Sequence, residues 1–332
     1  MRILCAWASA AWSTRDVATG YRSALIRAGH QIRDFRLDQR LIFVMRSLLP
    51  EQQENIDAIS KMATEGVLAE ATYHHADLVL IISGMHFHEV GLWLLTRYQI
   101  PTAVILTESP YQDAEQAQWL ARYPGVAVFT HERTSAERYG WTYLPHAYDP
   151  EIHRPVEPDL DEVCDVLFCG TGFPERQQLL EGIDWTGINL RLRGLWPTMT
   201  EQSALFPHLI QGCVKNGELP RAYAAAKIAL NLHRAGNGAM SLNPRAYELA
   251  ACGTFQIGDG RREQIDLFGR SVPTAHTSAE FEQAIRYYLA HEDERRACAA
   301  DAHQRVKGQT FDARVTQLMA ELESRTIRAA AG

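Results

Sequence analysis

Short apolar runs alternate with amphipathic, helix-like stretches through the first half of the chain. The apolar runs are predicted strands at 2–7, 31–37, 77–83, 102–108, 126–132 and 141–145. Nearly continuous apolar strands separated by helical patterns are typical of a parallel sheet that helices cover on both faces. The first half is therefore predicted to be a Rossmann-like α/β unit.

The same alternation begins again after residues 146–165, a segment with three prolines and many acidic residues that we interpret as an exposed connection. Predicted strands follow at 165–170, 188–194, 227–233, 254–259 and 271–276. From Ser278 to about Ile327 the pattern is helical throughout. We therefore predict a Rossmann-like domain over 1–150, a second over 151–305, and a C-terminal helix over 306–332 that returns toward the first.

The composition is that of a globular protein. The 332 residues are 46% hydrophobic and 22% charged, with a net charge of −7, which argues against a surface dominated by nucleic-acid phosphate contacts. No apolar run approaches the roughly 20 residues of a membrane helix, and we interpret the N-terminus as a buried strand rather than a signal peptide. The cysteines form no CxxC pair, so we expect reduced core thiols and a cytoplasmic protein. They are Cys5, Cys164, Cys169, Cys213, Cys252 and Cys298.

Loops rich in glycine and arginine follow the predicted strands of the second half, at 170–176, 194–197, 233–245 and 258–263. Ligands of open parallel sheets bind at the carboxyl ends of the strands. In "GTGFPER", Gly170, Thr171 and Gly172 offer backbone that can approach an anion closely, and Arg176 offers its counter-charge. An ordinary tight turn with a surface arginine explains the same residues.

The stretch "SLNPRAYELAACG" (241–253) predicts a short helix with a distinctive beginning. Asn243 suits the cap and Pro244 the first position, so Arg245 lies where backbone N–H groups attract an anion. Glu248 lies on the same face one turn later, where its carboxylate can accept hydrogen bonds from vicinal hydroxyls. Together these residues predict a nucleotide diphosphate site, although a surface i,i+3 ion pair would also account for them.

Five motifs occur in one order between about residue 100 and residue 270. They are "ILTESPYQD", "YLPHAYDPEIHRP", "DVLFCGTGFPERQQLL", "RGLWP" followed by "GELPRAYAAAKIALNLHR", and "SLNPRAYELAACGTFQIGD" with "LFG" shortly after. In this order the chain resembles GT-B glycosyltransferases, particularly the CgeB-like (spore-maturation-type) branch related to glycosyltransferase family 4. Before residue 100 the likeness rests on the strand and helix pattern alone.

The resemblance implies two facing Rossmann-like domains, with a nucleotide sugar held mainly by the second and an acceptor by the first. It implies that Glu248 holds the ribose, Arg176 the pyrophosphate, and residues 170–172 the phosphate loop, with Arg245 as a second cation. Such enzymes usually need no metal, because cationic side chains and a helix dipole stabilise the leaving diphosphate.

The sequence departs from the family 4 pattern at two places. Met240 stands eight positions before Glu248, where the family has another glutamate, and the usual lysine shortly after Arg176 is absent from "QQLLEG". The candidate replacements for these two missing residues, in sugar recognition and as the second phosphate cation, are His233, Arg234 and Arg245. Gly194 and Asn243 complete the predicted nucleotide-sugar site.

Three side chains of the first half are candidate catalytic residues. Glu108 follows the fourth predicted strand, and His86 and His88 follow the third. An inverting transfer needs a general base near the acceptor hydroxyl, whereas a retaining transfer depends more on the leaving phosphate. The sequence leaves both outcomes open.

We expect neither a metal nor another cofactor. The histidines of "HFHE" (86–89), with His74, His75 and His131, lack the spacing of a zinc site. The "DLD" at 159–161 lies in the connection rather than at a strand end, so we interpret it as solvated.

The sequence therefore predicts a cytoplasmic, metal-independent GT-B glycosyltransferase that moves a sugar from a nucleotide diphosphate donor to an acceptor hydroxyl. The acceptor stays open between a glycan, a small molecule, a protein and modified DNA. The alternatives are a nucleotide-sugar epimerase of the same architecture and a non-catalytic nucleotide-sugar-binding protein. Met240, in the place of a family glutamate, leaves the non-catalytic alternative open. A DNA-base-modifying glycosyltransferase is weakened by the acidic net charge.

Overall fold

The structure, a computed structural model, describes residues 1–7, 13–210, 212, 215–234 and 239–331, without the side chains of Ser13 and of residues 326–331. The chain divides into two compact units. Unit 1 contains Met1–Pro145 and Phe311–Gly332, and unit 2 contains His146–Thr310. The boundaries between the units fall after residues 145 and 310, whereas the sequence pattern predicted them after residues 150 and 305.

The described elements alternate between strands and helices. The strands are β1 (Arg2–Trp7), β2 (Gln31–Arg36), β3 (Leu78–Ile82), β4 (Thr102–Leu106), β5 (Ala127–Thr130), β6 (Thr142–Tyr143), β7 (Cys164–Cys169), β8 (Leu190–Arg193), β9 (Leu209–Ile210), β10 (Ala226–Asn231) and β11 (Gln256–Gly258). The helices are α1 (Ser13–Arg27), α2 (Leu37–Ser47), α3 (Ile56–Tyr73), α4 (Glu89–Arg97), α5 (Asp113–Leu120), α6 (Arg133–Tyr139), α7 (Pro174–Glu181), α8 (Leu219–Ala224), α9 (Pro244–Ala251), α10 (Arg262–Phe268), α11 (Ser278–Ala290), α12 (Glu292–Val306) and α13 (Phe311–Ala331).

Unit 1 is built on a six-stranded parallel sheet in the order β2-β1-β3-β4-β5-β6. Every residue of the central strands β3 and β4 is buried, which explains why these segments are apolar without alternation. In this sheet Ile81 pairs with Ala6 on one side and with Val104 on the other. The predicted Rossmann-like architecture of the first half is confirmed.

Helix α13 belongs to unit 1 and packs against α1. The ring of Phe311 occupies the space that a side chain at Gly20 would need, and it meets the Tyr21 ring edge-on at 5.1 Å. Arg27 binds both carboxylate oxygens of Asp312, at 2.7 and 2.8 Å. The expected return of the C-terminal helix to the first domain is confirmed.

Unit 2 contains a five-stranded parallel sheet in the order β11-β10-β7-β8-β9. The strand predicted at 271–276 is wrong: Thr274 forms only an isolated bridge to Gly258. Proline lacks the N–H that continues a ladder, and Pro273 stands in the middle of this segment. The two-residue β9 had no counterpart in the prediction.

The connection after residue 145 is less exposed than its composition indicates. Residues 146–149 are buried, and the Tyr148 N–H donates to the carbonyl of Gln309 at 3.2 Å. His153 is only 3% exposed. The start of this segment is therefore part of the unit 2 core, whereas Asp161 is exposed and Asp159 is partly buried.

No helix within the described part of the chain combines the length and the apolar character that a bilayer crossing requires. Among the described cysteines none forms a disulfide, and Cys5, Cys164 and Cys252 are buried. Cys213 lies outside the described residues.

Candidate functional site

Four loops lie at the carboxyl edge of the unit 2 sheet: 170–173 after β7, 194–197 after β8, 232–243 after β10, and 259–261 after β11. The strand order β11-β10-β7-β8 places these loops side by side. This is the edge at which open parallel sheets bind ligands. Residues 235–238 of the third loop lie outside the described part of the chain.

The predicted glycines bring the first two loops into close contact. The N–H of Gly172 donates to the carbonyl of Leu195 at 2.8 Å. Gly194 has φ +111°, and a side chain there would collide with the carbonyl oxygen of Gly170. A side chain at Gly172 would collide with the indole of Trp196. The three glycines therefore lie together, and close packing of the two loops explains why they are glycines.

Arg245 lies in the first turn of α9, as its sequence context predicts. Asn243 caps this helix by accepting the Ala246 N–H at 3.1 Å. The Arg245 guanidinium lies against the α-carbon of Gly170, in the space of a missing side chain, and 5.3 Å from the centre of the Phe168 ring. Its Nη1 is buried without a hydrogen-bond partner among the described residues. A cation with unused donors thus stands beside the loop after β7.

Glu248 lies one turn after Arg245, but no ion pair joins the two within the described residues. Glu248 is 8% exposed, and its Oε2 accepts a hydrogen bond from the Tyr223 hydroxyl at 3.2 Å. The Nε2 of His153 lies 3.9 Å from Oε1. The alternative of a surface i,i+3 pair is therefore not what the structure shows, because the carboxylate is buried beside other partners.

His153 is fixed in one tautomer by its two neighbours. The N–H of Asp149 donates to its Nδ1 at 3.3 Å, so the proton is on Nε2, which lies 3.1 Å from Oδ1 of Asn216. Burial raises the pKa of Tyr223 well above its usual range, with a further contribution from Glu248. Tyr223 therefore stays protonated and donates its hydroxyl hydrogen to the Glu248 carboxylate.

Arg176 has a different environment from the one that a pyrophosphate ligand would need. The residue is 7% exposed, and its Nη1 and Nη2 donate to the carbonyls of Thr171 and Leu232, both at 2.8 Å. It thereby joins the loop after β7 to the loop after β10, with its guanidinium 4.9 Å from the Phe173 ring centre. A role for Arg176 in binding pyrophosphate stays a prediction, whereas its role in holding the two loops is directly visible.

His233 was a candidate cation for the phosphate, but in the structure it is a neutral residue that links two loops. Its Nδ1 lies 2.7 Å from Oδ1 of Asp259, and its Nε2 accepts the Asn243 N–H at 3.0 Å. Burial lowers the pKa of His233 against the opposing effect of Asp259. Burial alone would raise the pKa of Asp259, but its hydrogen bonds to His233, together with the charges of His233 and Arg261, outweigh burial and lower the pKa. At neutral pH the imidazole therefore carries no charge to offer a phosphate.

Arg234 and Met240 both lie toward solvent. Arg234 is exposed, with its guanidinium 5.1 Å from the Phe173 ring centre, while its own carbonyl accepts from Arg261 at 2.9 Å. Met240 is 40% exposed, and its carbonyl accepts the Glu263 N–H at 3.0 Å. The position of the missing family glutamate is thus at the surface of this edge.

The candidate residues of unit 1 lie at the carboxyl edge of its own sheet. Oε1 of Glu108 accepts from the hydroxyls of Thr14 and Thr107, at 3.3 and 3.2 Å. The ring of His88 caps α4 by accepting the Val90 N–H at 3.0 Å through Nδ1. His86 is exposed, with φ +62°. The geometry of His88 is that of a helix cap, whereas Glu108 and His86 stay predicted catalytic residues.

Sequence reasoning missed four residues that shape the unit 2 site: Tyr223, His153, Asp259 and Glu263. Glu263 accepts the Leu242 N–H and the Tyr247 hydroxyl, both at 2.7 Å, and so holds the loop before α9. The position of Asp259 directly after β11 was a usable signal, because charged groups at strand ends tend to face the loops. The sequence around Tyr223 gave no indication of a site, because Tyr223 fits the pattern of an apolar position in a short helix.

The described residues include no group of three or more histidine, cysteine, aspartate or glutamate side chains placed to hold a metal ion.

Comparison with known proteins agrees with this architecture. Residues 176–320 match a family model described as glycosyl transferase-like. The spore protein CgeB of Bacillus subtilis (strain 168) is 25% identical over 257 residues, which are 71% of this chain and 80% of the relative.

Two solved structures share the fold at low sequence identity. Anabaena HepE, in complex with UDP-glucose, superposes with a TM-score of 0.69 at 15% identity, covering 98% of this chain and 99% of that one. Sucrose-phosphate synthase from Thermosynechococcus elongatus gives 0.68 at 14% identity, with the same coverage. The chain therefore has the GT-B fold, and its residues 176–320 are similar to glycosyltransferases, with CgeB among its relatives.

Proposed function

We propose that the protein transfers a sugar from a nucleotide diphosphate sugar to an acceptor hydroxyl, without a metal and in the cytoplasm. The observation that carries the proposal is the Arg245 guanidinium, which lies against Gly170 with its Nη1 buried and without a partner among the described residues. A partly buried cation with an unused donor at a ligand-binding edge suits an anionic group.

The donor's diphosphate would lie against Arg245 and the loop that contains Gly170. The pentose would lie one helical turn further, at the Glu248 carboxylate. Carboxylate oxygens accept hydrogen bonds from vicinal hydroxyls, and Tyr223 occupies only one of the two oxygens at hydrogen-bonding distance. HepE, which has the same fold, was solved with UDP-glucose, and this supports a nucleotide sugar as the donor class.

The Arg245 guanidinium would also make a metal ion unnecessary. A guanidinium directed at the diphosphate stabilises the charge that develops on the leaving group, and this is the task that a divalent ion performs in other transferases. Transfer should therefore continue at its full rate in excess EDTA. A transfer rate that falls with EDTA and returns with added Mg²⁺ or Mn²⁺ would show that the metal-free part of the proposal is wrong.

The direct test is calorimetric titration of a donor panel that begins with UDP-glucose. Arg245→Met should weaken the best donor by roughly 10- to 100-fold, because a charge-assisted contact is worth about 1.5–3 kcal/mol. Glu248→Gln preserves the shape but removes the negative charge, and it should weaken binding of the nucleotide by about tenfold.

Arg262→Met is the matched control, since Arg262 also begins a helix of unit 2 but is exposed and paired with Asp266 at 3.0 Å. It should bind the donor as the unsubstituted protein does. Melting curves without ligand establish that each variant is folded. Unchanged donor affinity in both Arg245→Met and Glu248→Gln would place the donor elsewhere, and release of nucleotide with no acceptor consumed would favour the epimerase alternative.

A further inference from the structure

A recess of about 450 Å³ opens at the amino edge of the unit 2 sheet. Its walls include Lys227 at the start of β10, residues 252–255 before β11, and Glu292, Arg295 and Arg296 of α12. The candidate donor loops lie at the other end of the strands. Since β10 has six residues, the two edges are roughly 20 Å apart.

Two of the three cations in the recess have acidic partners. Lys227 binds Oδ1 of Asp165 at 2.8 Å, and Arg296 pairs with Glu292 within its own helix. Arg295 is different: it is 7% exposed, and its guanidinium donates through Nη1 to the carbonyl of Tyr288. No carboxylate of the described residues lies within ion-pair distance of it. The Asp165 carboxylate that binds Lys227 also interacts electrostatically with Arg295, so two cations share one carboxylate and the surroundings of the recess retain a net positive charge.

A second, independent feature lies in the same recess. Thr254 is 5% exposed, and its Oγ1 is buried without a hydrogen-bond partner among the described residues. Buried hydroxyls almost always have a partner, and a buried guanidinium whose only nearby carboxylate is shared with a second cation is costly. An oxyanion would satisfy both groups, because it accepts hydrogen bonds and carries the missing negative charge.

We propose that this recess binds a small phosphate-bearing anion. Arg295 and Thr254 hold the phosphate oxygens inside, and Lys227 and Arg296 raise the positive potential at the rim, where Glu292 partly offsets them. The volume exceeds what inorganic phosphate fills and lies in the range of small-molecule sites, so the ligand is an organic phosphate monoester. This proposal does not depend on the proposed sugar transfer, although Tyr223, which donates to Glu248, also lines the recess.

The test measures binding of inorganic phosphate and of glucose 6-phosphate by calorimetry, with chloride added to equalise ionic strength. Arg295→Met should weaken both ligands at least about tenfold. Thr254→Val, which preserves the shape and is less prone to unfold the protein, should weaken them about threefold. Arg286→Met is the matched control, because it removes one positive charge from an exposed position on α11, outside the recess.

The candidate donor edge also attracts phosphate, so Arg245→Met is measured in parallel. Binding that survives Arg245→Met and is lost in Arg295→Met supports the proposal. Three results would overturn it: phosphate affinity unchanged in Thr254→Val and Arg295→Met, an equal loss in Arg286→Met, or acetate bound as tightly as phosphate.

Discussion

Replacing Arg176 by methionine separates the two roles that this residue can have. The guanidinium donates to the carbonyls of Thr171 and Leu232, both at 2.8 Å, and is buried between two loops. If these bonds define its role, the substitution destabilises unit 2. If pyrophosphate is its partner, the substitution weakens donor binding and leaves the unliganded protein as stable as before.

The structure gives the size of the effect on stability. A hydrogen bond from a charged donor contributes about 1.5–3 kcal/mol, so two such bonds contribute roughly 3–6 kcal/mol. Methionine retains apolar contact with the Phe173 ring, and the cost of burying a guanidinium disappears. We therefore expect the free energy of unfolding to fall by about 3 kcal/mol.

Two measurements check this expectation. Urea unfolding gives the stability, and hydrogen exchange of peptides that cover 170–178 and 229–234 locates the loss in the two loops. Arg234→Met is the control, since Arg234 contacts the same Phe173 ring from an exposed position and should change stability by less than about 0.5 kcal/mol. Equal stability of Arg176→Met and the unsubstituted protein, with donor binding lost, would refute the bracing role and restore the pyrophosphate role.

Two further predictions concern the surroundings of α9. Burial lowers the pKa of His233, so the folded state binds fewer protons than the unfolded state. The free energy of unfolding present above pH 6.5 should therefore decline as the pH falls through the folded pKa. His233→Gln should make that decline less steep in urea unfolding measured between pH 7 and pH 4. A decline of the same steepness in the variant would assign it to other groups. Tyr223→Phe removes a hydrogen-bond donor from the buried Glu248 carboxylate, so the KM for the donor sugar should rise severalfold with little change in kcat; an unchanged KM would mean that Tyr223 does not position Glu248.

The fold was predictable because burial on both faces leaves a direct mark on the sequence. Strand β3 is apolar at every position and β4 at every position after Thr102, and the intervening helices show the longer period. The prediction failed at 271–276, where β-prone residues surround Pro273, and at the start of the connection after residue 145. The first failure overlooked a local signal, Pro273, whereas the second concerns a segment whose partner, the carbonyl of Gln309, lies far away in sequence.

The site was only partly predictable, for the same reason. Local rules placed Arg245 and Glu248 correctly on the first turns of α9, since a cap and a proline at the first position are signals within four residues. These rules did not distinguish Arg245 from Arg176, because both arginines follow glycine-rich or capped turns. The distinction depends on Leu232, whose carbonyl lies 56 positions from Arg176 along the chain. Likewise, burial and the Asn243 N–H that donates to its Nε2 make His233 a neutral residue rather than a candidate cation.

The start of α9 shows how much of its anion-binding capacity depends on one side chain. A free helix terminus offers several backbone N–H groups, but here the Asn243 N–H donates to His233 and the Ala246 N–H to the Asn243 side chain. Pro244 has no N–H to offer. Backbone donors in the first turn are therefore largely used within the protein, and the charge that remains for a ligand is the Arg245 guanidinium. For this reason the helix dipole alone should not preserve donor binding in Arg245→Met.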